Sequence, residues 1–160
     1  MTSTTEAAFR TAITVQAPID RAFSVFTAGF DSWWPRAHHI LQADLAEVVL
    51  EGAVGGRWFE RCVDGTECDW GRVLAWDPPR AIALSWHLNA QFEYDPDPDN
   101  ASRVDVRFIA EGPGSTRVEL AHSNLDRVGG SWPQLLSAIS DEGGGWPALL
   151  GRFAASAAAA

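Results

Sequence analysis

The sequence predicts an α+β fold: a strongly curved antiparallel sheet of about six or seven strands wrapped on a long C-terminal helix, with two short helices after the first strand. Three observations lead there. From Leu45 to His122, apolar and polar residues alternate in successive short runs, the period of two that half-buried strands require. After Ser131 the period lengthens to that of helices, with Trp132, Leu135, Leu136 and Ile139 on one face, then Trp146, Leu149, Leu150 and Phe153 on another. Strands in a run followed by helix, rather than in alternation with helices, point to an antiparallel sheet. A sheet that large curls, and the apolar C-terminal helix is the natural filler of its concave side.

Residues 1–8 are small and mostly polar and are expected to form a flexible tail ahead of a single domain over 9–157. Phe9, Thr11, Ile13 and Val15 share one side of a first strand, which Ala17-Pro18 stops. Ile19, Ala22, Phe23 and Phe26 recur at helical spacing, with Gly29 as the expected stop. Phe30 to Trp34 is a second short helix, cut off before Pro35 because proline disfavours helical backbone in the residue ahead of it. Strands are expected over Leu45–Glu51, Arg57–Val63, Glu67–Trp76 and Ala81–Leu88. Asp64-Gly65 turns the central hairpin, and Asp77-Pro78-Pro79-Arg80 makes the next turn. Val104, Val106 and Phe108 alternate against arginine and aspartate, as Thr116, Val118, Leu120 and His122 do against Arg117 and Glu119. Ser131 is placed to cap a helix with Pro133 in its first turn, and Gly143-Gly144-Gly145 separates that helix from the last.

Composition removes several functions. Net charge is −9, whereas gripping a phosphate backbone needs a basic surface, so no nucleic acid is expected. No apolar run reaches the roughly 20 residues that span a bilayer, and the N-terminus lacks the pattern of a secretory signal, so no membrane and a cytoplasmic location are expected. All 12 basic residues are arginine, which excludes lysine chemistry. Cys62 and Cys68 flank a turn. They face each other if the loop is Asp64-Gly65-Thr66 and are offset by one if it is Asp64-Gly65, so a disulfide is conceivable while a cytosolic setting favours thiols. Asp95, Asp97 and Asp99 open like a calcium loop, but Asn100 and Val106 stand where glycine and glutamate are needed. No cofactor and no metal are expected, and no nucleotide, nucleophile-elbow or zinc-protease motif occurs.

In order along the chain, Val15-Gln16-Ala17-Pro18, Trp33-Trp34-Pro35, Gly55-Gly56-Arg57-Trp58, Trp70-Gly71-Arg72-Val73, Asp77-Pro78-Pro79 and Trp86 form a recognisable series, closed by Leu120-Ala121-His122 and Gly144-Gly145-Trp146-Pro147-Ala148-Leu149-Leu150. Over Phe9 to Phe153 the chain resembles the START-like superfamily, and within it the domain family named after the activator of heat-shock-protein-90 ATPase. The resemblance implies a helix-grip fold, in which a curved sheet grips a C-terminal helix around a cavity for apolar small molecules. It leaves function open, since such domains serve as ligand carriers, cyclases, hydrolases and chaperone assistants.

The candidate site follows. Trp33, Trp34, Trp58, Trp86, Phe108, His122, Trp146 and Leu150 are candidate cavity residues for a small hydrophobic ligand. Trp70, Trp76, Trp132 and Phe153 belong to the same aromatic set, whose plain alternative is core packing. His122, at the end of an apolar strand face, is either a satisfied structural histidine or a ligand contact with acid–base capacity. His38 and His39 fall near the expected cavity mouth. Glu60, Arg61 and Arg72 are candidate polar anchors, and the alternation does not decide which of them faces inward. The leading expectation is a non-catalytic binder, monomer or homodimer. The alternatives are a cyclase, dehydratase or hydrolase on an aromatic or polyketide-like substrate, using His122 with Glu60 or Arg61, and a chaperone-assisting or interaction module.

Overall fold

A computed structural model of the protein describes residues 7–159. β1 (Phe9–Val15) leads into α1 (Ile19–Phe26) and α2 (Phe30–Trp33), followed by β2 (Leu45–Leu50), β3 (Arg57–Cys62), β4 (Glu67–Asp77), β5 (Ala81–Trp86), β6 (Ser102–Gly112) and β7 (Ser115–Ser123). Two helices follow, α3 (Trp132–Ser140) and α4 (Trp146–Ala159). The strands form one sheet in the order β1-β7-β6-β5-β4-β3-β2, with antiparallel pairing throughout. This is the curved α+β sheet with a C-terminal helix that the alternation predicted. Most of the expected tail, residues 1–6, lies outside the described residues; Ala7 is held, its carbonyl accepting the Leu125 amide at 2.9 Å.

The sheet bends where β4 carries extra residues. Trp58 pairs with Gly71 but Phe59 with Asp69, so Trp70 is a bulge; Leu74 is a second one, between the Val73–Leu84 and Ala75–Ala83 pairs. A bulge leaves one residue unpaired and sharpens the twist. At the first bulge β4 and β5 approach so closely that a Cβ on Gly71 would lie 1.7 Å from the Ser85 carbonyl oxygen. The Arg72 amide donates to Ser85 Oγ at 2.8 Å, and the His87 amide to the Trp70 carbonyl at 2.7 Å, which keeps the bulged backbone satisfied.

The strand faces assigned to the interior are buried: Ile82, Leu84 and Trp86; Val104, Val106 and Phe108; Val118, Leu120 and His122. Phe26 of α1 joins sheet to helix, its ring edge-on to Phe108 at 5.7 Å and to Phe153 of α4 at 5.2 Å. α1 ends at Phe26, ahead of the expected Gly29: Thr27 caps it, its amide and hydroxyl both donating to the Phe23 carbonyl, and the Gly29 amide then reaches back five residues to the Ser24 carbonyl, leaving the α-helical ladder. Ser131 stands at the start of α3 but its side chain makes no capping bond.

The central hairpin settles the cysteines. Arg61 pairs with Glu67, and the Cys62 amide donates to the Thr66 carbonyl, so the loop is Val63-Asp64-Gly65, neither of the loops expected. Cys68 then faces Glu60, leaving the two cysteines diagonal on one face as free thiols. Burial, followed by the nearby Glu60 charge, pushes the Cys68 thiol up to about 11. The acidic segment folds on itself, Asp95 and Asp97 each accepting an amide two residues on, at 2.9 Å.

Gly71→Ala tests the origin of the bend. Its methyl would strike backbone rather than a movable side chain, so stability falls by about 2–3 kcal/mol, read from urea unfolding. An unchanged midpoint would show that β4 and β5 can separate freely.

Candidate functional site

Between the concave sheet face, the segment after α2 and the junction of α3 with α4 lies a cavity of about 660 Å³. Its walls are largely indole: Trp34, Trp70, Trp86 and Trp146. Leu88, Ile139 and Leu149 add aliphatic surface, and His38, His39 and Phe92 surround the opening.

The wall nearest the opening is a loop without regular structure, so something else must hold it. That is Glu60. Its side chain is fully buried and accepts the Ile40 amide at 2.6 Å and the Leu41 amide at 3.1 Å. It also accepts Trp70 Nε1–H at 2.8 Å, and Cys62 Sγ lies 3.7 Å from it. A buried carboxylate with several N–H donors is well compensated. Here those donors are the loop and one cavity wall, so Glu60 positions the site without entering it. Farther along the same loop, Trp34 Nε1–H donates to the His38 carbonyl at 2.8 Å.

His122 holds the opposite wall. Its Nδ1 accepts Trp146 Nε1–H at 3.1 Å. Its Nε2 therefore carries the proton and donates to Ser102 Oγ at 2.8 Å, while Ser102 reaches on to the Trp86 carbonyl at 3.5 Å. Both ring nitrogens are occupied and neither is left for a ligand. Burial pushes the imidazole down to about 3, so it is neutral in the folded protein at ordinary pH.

Of the eight candidate cavity residues, Trp34, Trp86 and Trp146 line the cavity. Trp33, Trp58, Phe108 and Leu150 are buried beside it in the core. Trp33 donates Nε1–H to the Val25 carbonyl, and Trp58 packs edge-on against Trp70 and Trp86. Trp76 is farther off, against Phe23. Of the candidate anchors only Glu60 points inward. Arg61 is turned outward, bonded to Glu47 and Glu67, and Arg72 lies outside beside Asp69. Alternation explains this: with Trp58, Glu60 and Cys62 inward, Arg57 and Arg61 must face out, where they cover Phe59, the Arg57 guanidinium 3.9 Å from its ring centre. His122, Glu60 and Arg61 thus do not meet at one point. Leu149 is a wall residue that the candidate set omitted, and Trp70, of the wider aromatic set, is another wall residue. The bulge turns Trp70 inward, and only the docking of α4 decides between Leu149 and Leu150. No cluster of three or more metal-binding side chains occurs among the described residues, and none of their helices is long and apolar enough to cross a membrane.

Phe92 marks the opening with a backbone cost. Its φ is +58°, a region that bulky residues avoid. Asn89 enforces it, its Oδ1 accepting the Gln91 and Glu93 amides, both at 2.9 Å.

Two measurements probe these supports. Glu60→Gln replaces an acceptor by a donor facing N–H groups, and stability drops by about 2–4 kcal/mol in chemical denaturation. A smaller loss would mean that the loop is held elsewhere. His122 binds a proton near pH 6.5 when unfolded but only near 3 when folded. Its stabilising contribution is therefore complete above pH 6.5 and is lost as pH falls towards 3, with a slope of up to about 1.4 kcal/mol per pH unit. In His122→Gln the pH dependence of unfolding over that window is flatter by up to one proton; an unchanged slope would refute a neutral buried imidazole.

Comparison with known proteins agrees with this architecture. The family model for Activator of Hsp90 ATPase homolog 1-like protein matches residues 16–157. The anthrahydroquino-γ-pyrone synthase Txn09, solved complexed with SUM, is 38% identical, covering 92% of this chain and 95% of its own, with a TM-score of 0.65. CalC from Micromonospora echinospora, a self-sacrificing resistance protein, is 31% identical, covering 94% and 93%, with a TM-score of 0.67. Protein NE0264 from Nitrosomonas europaea shares the fold at 11% identity, covering 94% and 93%, with a TM-score of 0.62. No curated protein matches significantly. With its curved sheet, C-terminal helix and matched residues 16–157, the chain belongs to the Activator of Hsp90 ATPase homolog 1-like family.

Proposed function

We propose that this protein binds a planar aromatic small molecule in the cavity of about 660 Å³. The observation that carries the reading is the wall of four indoles, Trp34, Trp70, Trp86 and Trp146, around a space of ligand size. Flat aromatic walls favour flat aromatic guests, through offset and edge contacts added to apolar burial. Three of the four indoles are locked by hydrogen bonds to the protein, so the cavity is organised before any ligand arrives. The 38% identity to a synthase of an anthrahydroquino-γ-pyrone points to the same chemical class of guest. Free thiols at Cys62 and Cys68 agree with a reducing, cytoplasmic setting.

A second reading, catalysis on such a guest, is favoured by that same identity to a synthase. It would not run through His122, both of whose nitrogens are engaged, nor through Arg61, which faces solvent.

Titration with anthraquinone, read by quenching of tryptophan fluorescence, tests the binding reading. Saturable one-to-one quenching is expected, reversed by competing polycyclic aromatics and weakened about tenfold by Trp34→Ala. Quenching that never saturates would sink it. Conversion of a polycyclic phenol by the wild-type protein, followed by chromatography, would move the assignment from binder to enzyme.

A further inference from the structure

All 12 strongly basic side chains are arginines, and none of them lines the cavity. Arg36, next to the lining residue Ala37, is held by the Asp31 carboxylate at 2.5 Å and the Ala46 carbonyl at 3.1 Å. Arg57, Arg61 and Arg72 pair with acids on the outer side of the sheet. Two carboxylates border the space instead. Asp141 is an exposed lining residue that accepts the Gly143 amide at 3.2 Å, and no arginine pairs with it among the described residues. Glu60 lies behind the loop wall, and its partners are neutral N–H and S–H groups. The walls offer an anion little else. Three indole N–H groups are spent on the protein and the fourth, of Trp86, is buried. His38 Nε2 lies 3.1 Å from the Gly144 carbonyl oxygen and His39 Nδ1 2.6 Å from that of Leu41. A carbonyl only accepts, so both rings give an N–H to the backbone. α3 ends and α4 begins beside the cavity, so the opposite partial charges of those termini oppose each other.

We infer that the cavity sorts flat aromatic guests by charge: with Asp141 and Glu60 beside its indole walls and no arginine, it prefers guests carrying a positively charged amine and rejects those carrying a carboxylate. The inference rests on the aromatic-binding reading above and adds to it the charge of the guest. Three effects act in the same direction. A cation over an indole face is attracted by the quadrupole of the ring, more strongly as water is excluded. Trp70, which donates to the Glu60 carboxylate, is polarised so that its ring is richer in electrons. The net charge of −9, acting through apolar walls, concentrates cations at the opening. A carboxylate guest meets the reverse: it leaves water and finds no counter-charge to replace it.

Three probes share one ring system and differ in charge: 9-(aminomethyl)anthracene as its ammonium ion, 9-(hydroxymethyl)anthracene and 9-anthracenecarboxylate. Each is titrated into the wild-type protein at about pH 8, above the range in which histidine ordinarily takes up a proton. Affinity should fall in the order ammonium, alcohol, carboxylate, by about tenfold at each step. The alcohol should displace the ammonium ion competitively, which separates the cavity from attraction to the net charge of the chain. Raising salt from about 0.05 to about 0.5 M should narrow the first step and keep the order, because a water-excluded cavity is screened less than open surface. Asp141→Asn, which keeps an acceptor for the Gly143 amide, should lower the ammonium-to-alcohol ratio about threefold. That ratio is taken within one protein, so it does not depend on the stability of the variant; an unchanged ratio would overturn the part assigned to Asp141. Equal affinities in the wild type, tightest binding of the carboxylate, or an ammonium ion that the alcohol cannot displace would overturn the inference and leave the aromatic-binding reading standing. Absence of saturable binding by all three would remove both.

Discussion

The carboxylate of Glu60 is the contact on which the rest of the site depends. It is fully buried on β3, one strand in from the sheet edge, and it accepts two amides of the loop after α2 and the indole N–H of Trp70. The loop has no strand ladder of its own over residues 35–44, so without an internal acceptor its Ile40 and Leu41 amides would be buried unpaired or would pull away to water. Glu60 ties them to β3 and sets the distance between loop and sheet, and that separation is the cavity. A buried acid often invites a catalytic reading. Here its neighbours are all donors from the protein itself, which makes it a strut.

The same accounting organises the indoles. Tryptophan brings a large apolar surface and a single donor, and a wall of four would be a poor wall if all four donors were stranded. The protein anchors three of them, on a backbone carbonyl, a carboxylate and an imidazole. His122 serves one of these anchors at the cost of its own ionisation, since burial holds it down to about 3. The rings continue beyond the cavity in an unbroken series, from Trp34 through Phe30 to Trp33 and Phe26 and on to Phe153 of α4. The site is one end of the aromatic core, left unfilled.

Much of the sheet was legible because it depends on short-range periodicity. The alternation of Val104, Val106 and Phe108, or of Val118, Leu120 and His122, puts them on one face whatever lies opposite, and they are buried as that pattern requires. The phase of β3 and β4 was not legible, because the Trp70 bulge interrupts β4 and the two strands are joined by a three-residue loop whose choice depends on how the hairpin closes. That uncertainty carried straight into the site: Glu60, Arg61 and Arg72 were equivalent on paper, and they are separated by which side of the sheet received a roof. His38 and His39 were placed near the opening by their position after Trp33-Trp34-Pro35, but the tautomer of His38 is set only by Gly144, far away in sequence, whose carbonyl oxygen lies 3.1 Å from its Nε2.

By itself the sequence determined the α+β class, the strand run and its inward faces, the helix stops at the glycines between α3 and α4, and a net charge of −9. These are matters of local period, backbone permission and net charge. Only the tertiary structure decided which tryptophans are wall and which are packing, which acid points inward, and which donors remain unspent. Those depend on contacts between residues distant along the chain, where a bulge or a quarter-turn of α4 exchanges one side chain for its neighbour.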